Sequence, residues 1–159
     1  MIGVVGGPEK AEVERSLGAD VVVDRRTEDF VEVVKQVTGG RGADVVHDPV
    51  GGDAYQRSTE CVAFEGRILV VGFAGGQIQM AALNHALAKN YSIIGLDCTG
   101  LYGKKDPQAV RRCHDELSRL AGGGTAKPLV SERLALDAVA DGLQRLADGT
   151  TVGRVAFVS

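Results

Sequence analysis

Gly6-Gly7-Pro8-Glu9-Lys10 places two glycines at the end of an apolar run and a lysine one helical turn later. Bare backbone N–H groups at a helix start, with a cation close by, are suited to holding an anionic group. Two other glycine clusters compare poorly. Gly39-Gly40-Arg41-Gly42 lies between a predicted helix and a predicted strand, the reverse of the order an anion turn needs. Gly72-Phe73-Ala74-Gly75-Gly76 follows a strand, but no clear helix starts behind it. The histidines carry less. His47 falls inside a strand run, and His85 and His114 lack an acidic or thiol partner at useful spacing. Cys61, Cys98 and Cys113 have no CxxC spacing and read as reduced thiols; a zinc site from Cys98, Cys113 and His114 is poorly supported. No catalytic residue and no metal ligand is assigned.

The elements that must position these turns alternate regularly. "GADVVVD" at Gly18–Asp24 returns as "GADVVHD" at Gly42–Asp48, one βα period later, each with a glycine suited to a helix end and then a short apolar run. Strands are predicted at Ile2–Val5, Val21–Val23, Val45–His47, Ile68–Val71 and Ile93–Leu96. All are continuous apolar runs, as expected of parallel strands covered on both faces. Pro8 opens the first helix. Thr27 caps the second, with Phe30, Val33, Val34 and Val37 on one stripe and a stop at Gly39-Gly40. Asp53 caps a third that ends near Gly66. Asp106-Pro107 opens a fourth, with Val110, Cys113, Leu117, Leu120 and Ala121 on one face. A last helix over 137–147 buries Val139, Leu143 and Leu146, and a strand over 154–158 ends the chain. Strand and helix in alternation mean a parallel α/β sheet with right-handed crossovers, a Rossmann-like doubly wound layer. The stretch from Lys127 breaks the rhythm and reads as an appendage.

Composition narrows the function classes. The 159 residues are 44% hydrophobic and 25% charged, enough apolar material for a buried core. A net charge of −3 provides no footprint for nucleic acid or an anionic membrane. No apolar run approaches a membrane span and the first residues lack a basic signal-peptide region, so a cytoplasmic location is expected.

A dinucleotide site on such a sheet needs a Gly-rich turn after the first strand, and no GxGxxG occurs. The Gly6-Gly7 turn lies instead where the second Rossmann strand would end. In NAD sites an acidic side chain there binds the ribose hydroxyls. Two glycines with Lys10 behind them suit the 2′-phosphate of NADP; Lys10 equally suits a solvated helix face.

"GVVGGPEKAEVERSLGADVVVD", "GADVVHDPVGGDAYQRSTECVAFEGRILVVGFAGG" and "GTTVGRVAFV" together resemble the NADPH-dependent quinone oxidoreductases of the medium-chain dehydrogenase/reductase superfamily, in their zinc-independent, zeta-crystallin-like branch. The resemblance runs along essentially the whole chain. It implies an incomplete Rossmann domain over residues 1–126 that starts at the second strand, without the first strand, the Gly-rich loop or the catalytic domain. Residues 127–159 correspond to the segment that in the family returns to the catalytic domain. The resemblance also implies NADPH as cofactor, bound by Gly6, Gly7 and Lys10, with Arg25 at the same phosphate or ribose unless it is simply a solvated arginine. Val50 and Gly51 would lie along the cofactor, and Gly72, Phe73 and Ala74 would reach the nicotinamide end through their backbone.

A sheet without its central strand exposes edges and apolar faces, so self-association through those edges, as a homo-oligomer, is expected. Three functions stay open at this point. One is the cofactor-binding portion of a quinone reductase, inactive alone. Another is a non-catalytic, self-associating Rossmann remnant. The third is a portion of an enoyl or crotonyl reductase of the same superfamily.

Overall fold

Ile2–Val5 forms β1, and Gly6-Gly7 turns it into α1 (Pro8–Ser16), with Pro8 at the first helical position. Gly18 ends that helix at φ 99°, and its N–H and that of Ala19 bond back to Arg15 and Glu14. β2 (Val21–Asp24) follows and pairs with β1 in parallel. α2 (Phe30–Val37), β3 (Ala43–Asp48), α3 (Gly52–Cys61), β4 (Val62–Val70), α4 (Leu83–Lys89) and β5 (Ser92–Gly95) continue the alternation. The computed structural model describes residues 1–97 and 100–159, in two compact units, Met1–Leu101 and Tyr102–Ser159.

Within the first unit every strand pair is parallel, but the strands form two sheets, β1-β2 and β3-β4-β5. Against the Rossmann order 3-2-1-4-5-6, these are the two flanks of the sheet. Two apolar clusters hold them. Val31 and Val34 of α2 and Cys61 of α3 pack with Ile2 of β1 and Ala43 of β3. Tyr55, Val62, Ile68 and Tyr91 pack with Val46, Val70 and Ile93 from the three-stranded sheet.

α5 (Leu101–Lys105) starts at the last residue of the first unit, and in the second unit α6 (Pro107–Gly122) follows, which Asp106 caps by accepting from the Ala109 N–H at 2.9 Å. β6 (Val130–Ala135) and β7 (Arg154–Val158) pair in parallel, joined by a single 3-10 turn and α7 (Val139–Ala147). The helix lies on this pair through Gly142, where a Cβ would stand 2.7 Å from the Phe157 ring. Arg145 of the same helix bridges Glu132 of β6 at 2.8 Å.

Several local expectations give way to competing partners. The N-cap of α2 is Asp29, whose carboxylate accepts from Val31 N–H at 2.8 Å, because the Thr27 hydroxyl is turned to the Asp24 carbonyl. Val31 and Val34 carry its buried face, while Val37 is largely exposed. Gly51 caps α3 in place of Asp53, which sits in the first turn, and the helix stops at Cys61 because Val62 and Ala63 are buried in β4. In the second repeat Gly39 ends the helix, and Gly42 lies three residues further on. The stripes of α6 and α7 are apolar but not buried: α6 buries none of its residues, and Leu143 and Leu146 are more than half exposed. The segment after Lys127 contains a strand, β6, that the alternating Val130-Ser131-Glu132-Arg133-Leu134 pattern half conceals.

Candidate cofactor site

At the C-terminal ends of β1 and β2 the chain builds one turn out of two strands. Gly7, buried and at φ 111°, donates its N–H to Asp24 Oδ1 at 2.9 Å. The same oxygen accepts from Arg26 N–H at 3.0 Å. These two N–H groups, Arg26 first, hold the Asp24 carboxyl below the usual carboxylate value. The bonds pull the Arg25-Arg26 pair over the glycines. A Cβ on Gly6 would lie 3.3 Å from Arg25 Nε and Nη2, and one on Gly7 would lie 3.1 Å from Arg26 Nη1. Lys10, half-buried, stands on the first turn of α1. Neither Arg25 nor Arg26 enters a salt bridge among the described residues. The result is a glycine floor with two arginines over it and a lysine on the helix behind it.

The ends of β3 and β4 form a second cluster. Asp48, 4% exposed, accepts from Val50 N–H at 2.9 Å and Gly51 N–H at 3.0 Å through Oδ1. Its Oδ2 is buried without a hydrogen-bond partner, as is the Tyr55 hydroxyl. The Gly72–Ala74 stretch is tied to this turn: Ala74 N–H donates to the Pro49 carbonyl, and Gly75 N–H to that of Val50, each at 2.9 Å. Gly51, at φ 73°, admits this packing because a Cβ there would stand 2.9 Å from both Phe73 and Gln79. Gln79 Oε1 accepts from Gly52 N–H at 3.0 Å. Val50, Phe73 and Ala74 are exposed on the surface of this cluster.

The nine residues expected at a cofactor therefore fall into two groups, Gly6, Gly7, Lys10 and Arg25 in one, and Val50, Gly51, Gly72, Phe73 and Ala74 in the other. Sequence reasoning passed over Arg26, Asp24 and Asp48. The signal for the two aspartates was available, since each ends one copy of the repeat. Arg26 belongs with Arg25 because both follow the strand that the Asp24 turn closes.

A cavity of about 310 Å³ opens at the other end of the strands, among Lys35, Arg41, Glu60, Phe64 and Lys89. Its cations have protein partners: Lys35 pairs with Glu32, Arg41 with Asp44, and Lys89 donates to the Thr59 carbonyl. Burial pushes the thiol of Cys61, which lines this cavity, above its usual value, so it is a poor nucleophile. Of the weak zinc set, Cys98 lies outside the described residues and Cys113 is exposed. Among the described residues no group of three or more His, Cys, Asp or Glu converges, and no helix is long and apolar enough to cross a membrane.

Residues 1–117 match the family of zinc-binding dehydrogenases. The quinone oxidoreductase-like protein 2 homolog of Nematostella vectensis is 34% identical over 150 residues, 94% of this chain and 41% of that protein. The 2-haloacrylate reductase of a Burkholderia species is 43% identical over 76 residues, 48% of this chain and 23% of that one. The Escherichia coli quinone oxidoreductase, in a crystal structure with NADPH, superposes with a TM-score of 0.88 at 27% identity, over 99% of this chain and 49% of that one. The chain thus spans about half the length or less of the relatives it matches. It belongs to the medium-chain dehydrogenase/reductase superfamily, in the quinone oxidoreductase family, and corresponds to that family's Rossmann-like C-terminal part.

Proposed function

We propose that this chain is the NADPH-binding part of a cytoplasmic reductase that transfers hydride to a quinone or another activated alkene. One observation carries the reading: Arg25 and Arg26 lie over a turn floored by Gly6 and Gly7, and Lys10 stands on the first turn of the helix that follows. The turn ends the second Rossmann strand, where the adenosine ribose is met in sites of this type. A dianionic phosphate fits the Arg25-Arg26 pair, neither of which enters a salt bridge among the described residues. NADPH, when bound, supplies the hydride. Lys10, Arg25 and Arg26 hold its 2′-phosphate, Val50 and Gly51 lie along it, and the Gly72–Ala74 backbone lies at its nicotinamide end.

The pyrophosphate is where these residues fall short. None of the three turns is a Gly-rich strand-to-helix loop of the dinucleotide type, so those contacts come from outside residues 1–159. The chain alone then binds NADPH weakly and turns nothing over. Residues 127–159 pack in the family manner against the catalytic part. The likeness to a 2-haloacrylate reductase favours an activated alkene as a second acceptor class. The exposed sheet edges favour self-association as the reading to adopt if no nucleotide binds.

Titration of the purified chain with NADPH and NADH, followed by fluorescence, tests the proposal. A charge-assisted contact contributes about 1.5–3 kcal/mol, so NADPH is expected to bind about tenfold or more tightly than NADH. Arg25→Ala should weaken that preference about tenfold and leave NADH unaffected. Equal affinity for the two cofactors would contradict the assignment.

A further inference from the structure

Residues 71–79 lie as a strap over the turn that follows β3. The near end of the strap is fixed by backbone: Val71 N–H donates to the Asp48 carbonyl at 3.0 Å, and Ala74 and Gly75 N–H donate to those of Pro49 and Val50 at 2.9 Å. The far end is fixed by a side chain. Gln79 Oε1 accepts from the N–H of Gly52, 27 residues earlier in the chain, at 3.0 Å.

The side chains around Gln79 run against burial. In Gln77-Ile78-Gln79-Met80 the apolar side chains are turned out, Ile78 76% and Met80 89% exposed, while Gln79 is half-buried. Hydrophobic burial alone would choose the reverse. The acceptor bond accounts for the choice. α3 begins behind Gly51, an N-cap with no side chain to take the first N–H group of the helix. Gln79 supplies that oxygen from across the turn. Gly51 and Gly52 leave room for the strap: a Cβ on Gly51 would stand 2.9 Å from Gln79 Oε1, and one on Gly52 would stand 3.1 Å from the Gln77 side chain.

We propose that Gln79 is a positioning residue, a latch that holds the strap against Gly51 and Gly52 so that Gly72, Phe73 and Ala74 are fixed where the nicotinamide half of the cofactor lies. This role rests on the reading of the chain as an NADPH-binding part. Gln79 touches no reacting atom and acts through the strap. The Phe73 ring and Gln79 Oε1 would each stand 2.9 Å from a Cβ on Gly51, so ring and amide sit side by side on one glycine, and releasing the amide frees the ring. The adenosine half is met on a separate turn, at Gly6, Gly7 and Arg25, and does not depend on Gln79.

The test measures amide exchange of the unaltered chain and two variants without nucleotide, then titrates each with NADPH and with adenosine 2′,5′-bisphosphate. Gln79→Met keeps the length of the side chain and removes the acceptor, whereas Gln79→Glu keeps the acceptor. Exchange is read at low denaturant concentrations to which it does not respond, so that it reports the strap's own opening and not unfolding. Loss of one such hydrogen bond corresponds to a factor of about five. Gln79→Met should therefore speed exchange at Gly52, Ala74 and Gly75 about fivefold. It should also weaken NADPH about fivefold and leave the bisphosphate, which lacks a nicotinamide, unchanged. Gln79→Glu should exchange as the unaltered chain does. Unchanged exchange at Ala74 and Gly75 in Gln79→Met, exchange in Gln79→Glu as fast as in Gln79→Met, or equal losses for NADPH and the bisphosphate would each overturn the proposal. An unaltered chain that binds neither ligand overturns the cofactor reading and the positioning role with it. One that binds NADPH and is indifferent to Gln79→Met overturns the positioning role alone.

Discussion

The two copies of the GADVV repeat build the same local object in different surroundings. Each makes a parallel strand, and each ends in an aspartate whose Oδ1 gathers two backbone N–H groups: Gly7 and Arg26 on Asp24, Val50 and Gly51 on Asp48. The starts differ. A Cβ on Gly18 would meet nothing within 4 Å, whereas at Gly42 it would stand 2.6 Å from the Cys61 carbonyl oxygen. The middles differ too. Val23 is fully buried, while its counterpart His47 is exposed. A shared heptad thus specifies strand and turn, and the neighbours decide how much each position matters.

The sharpest break in the comparison comes at the glycines. Gly42→Ala adds backbone collision to left-handed strain and should destabilise by about 2–5 kcal/mol. Gly18→Ala meets only the strain and should cost about 1–2 kcal/mol. Denaturant melts of the two variants check this order, and equal losses would mean that Gly42 relaxes freely.

The aspartates provide the next contrast. Asp48→Ala leaves two N–H groups unsatisfied at a buried turn and should cost about 1–3 kcal/mol. Asp24→Ala opens a half-buried turn, with a smaller loss of stability but a clear loss of any preference for NADPH. Thermal melts paired with cofactor titration separate the two effects.

The smallest expected effect is in acid. Because the Asp24 carboxyl is held below its unfolded value, its contribution is fully present above the ordinary carboxylate pKa and is lost as pH falls through the folded one. Exchange at the Gly7 and Arg26 amides should therefore rise, relative to intrinsic rates, only in that acid window. Asp24→Asn should flatten the change.

Much of this was legible because parallel strands covered on both faces leave unbroken apolar runs. Ile2–Val5 needs nothing beyond its own residues to be read. β6 was hidden because Val130–Ala135 alternates polar and apolar, a pattern suited to a half-covered strand in a region that otherwise breaks the rhythm. The caps went astray where two polar side chains compete. Thr27 precedes the helix, but its hydroxyl is held by the Asp24 carbonyl, which leaves Asp29 to cap. Leu117, Leu143 and Leu146 show that a helical stripe identifies the apolar face and not what covers it. At the site, Lys10 and the glycines could be placed from spacing. Arg26 could not, since the way the Arg25-Arg26 pair turns is fixed by bonds from Arg25 N–H to the Val5 carbonyl and from Arg26 N–H to Asp24, which spacing does not reveal.

The central claim is that the Gly6-Gly7 turn and its cations recognise a 2′-phosphate. Amide NMR shifts of the chain titrated with adenosine 2′,5′-bisphosphate, with adenosine 5′-monophosphate as control, test it most directly. The account expects saturable shifts at Gly6, Gly7, Arg25 and Arg26 with the bisphosphate and much weaker ones with the monophosphate. Identical responses to the two ligands, or shifts confined to other residues, would contradict it.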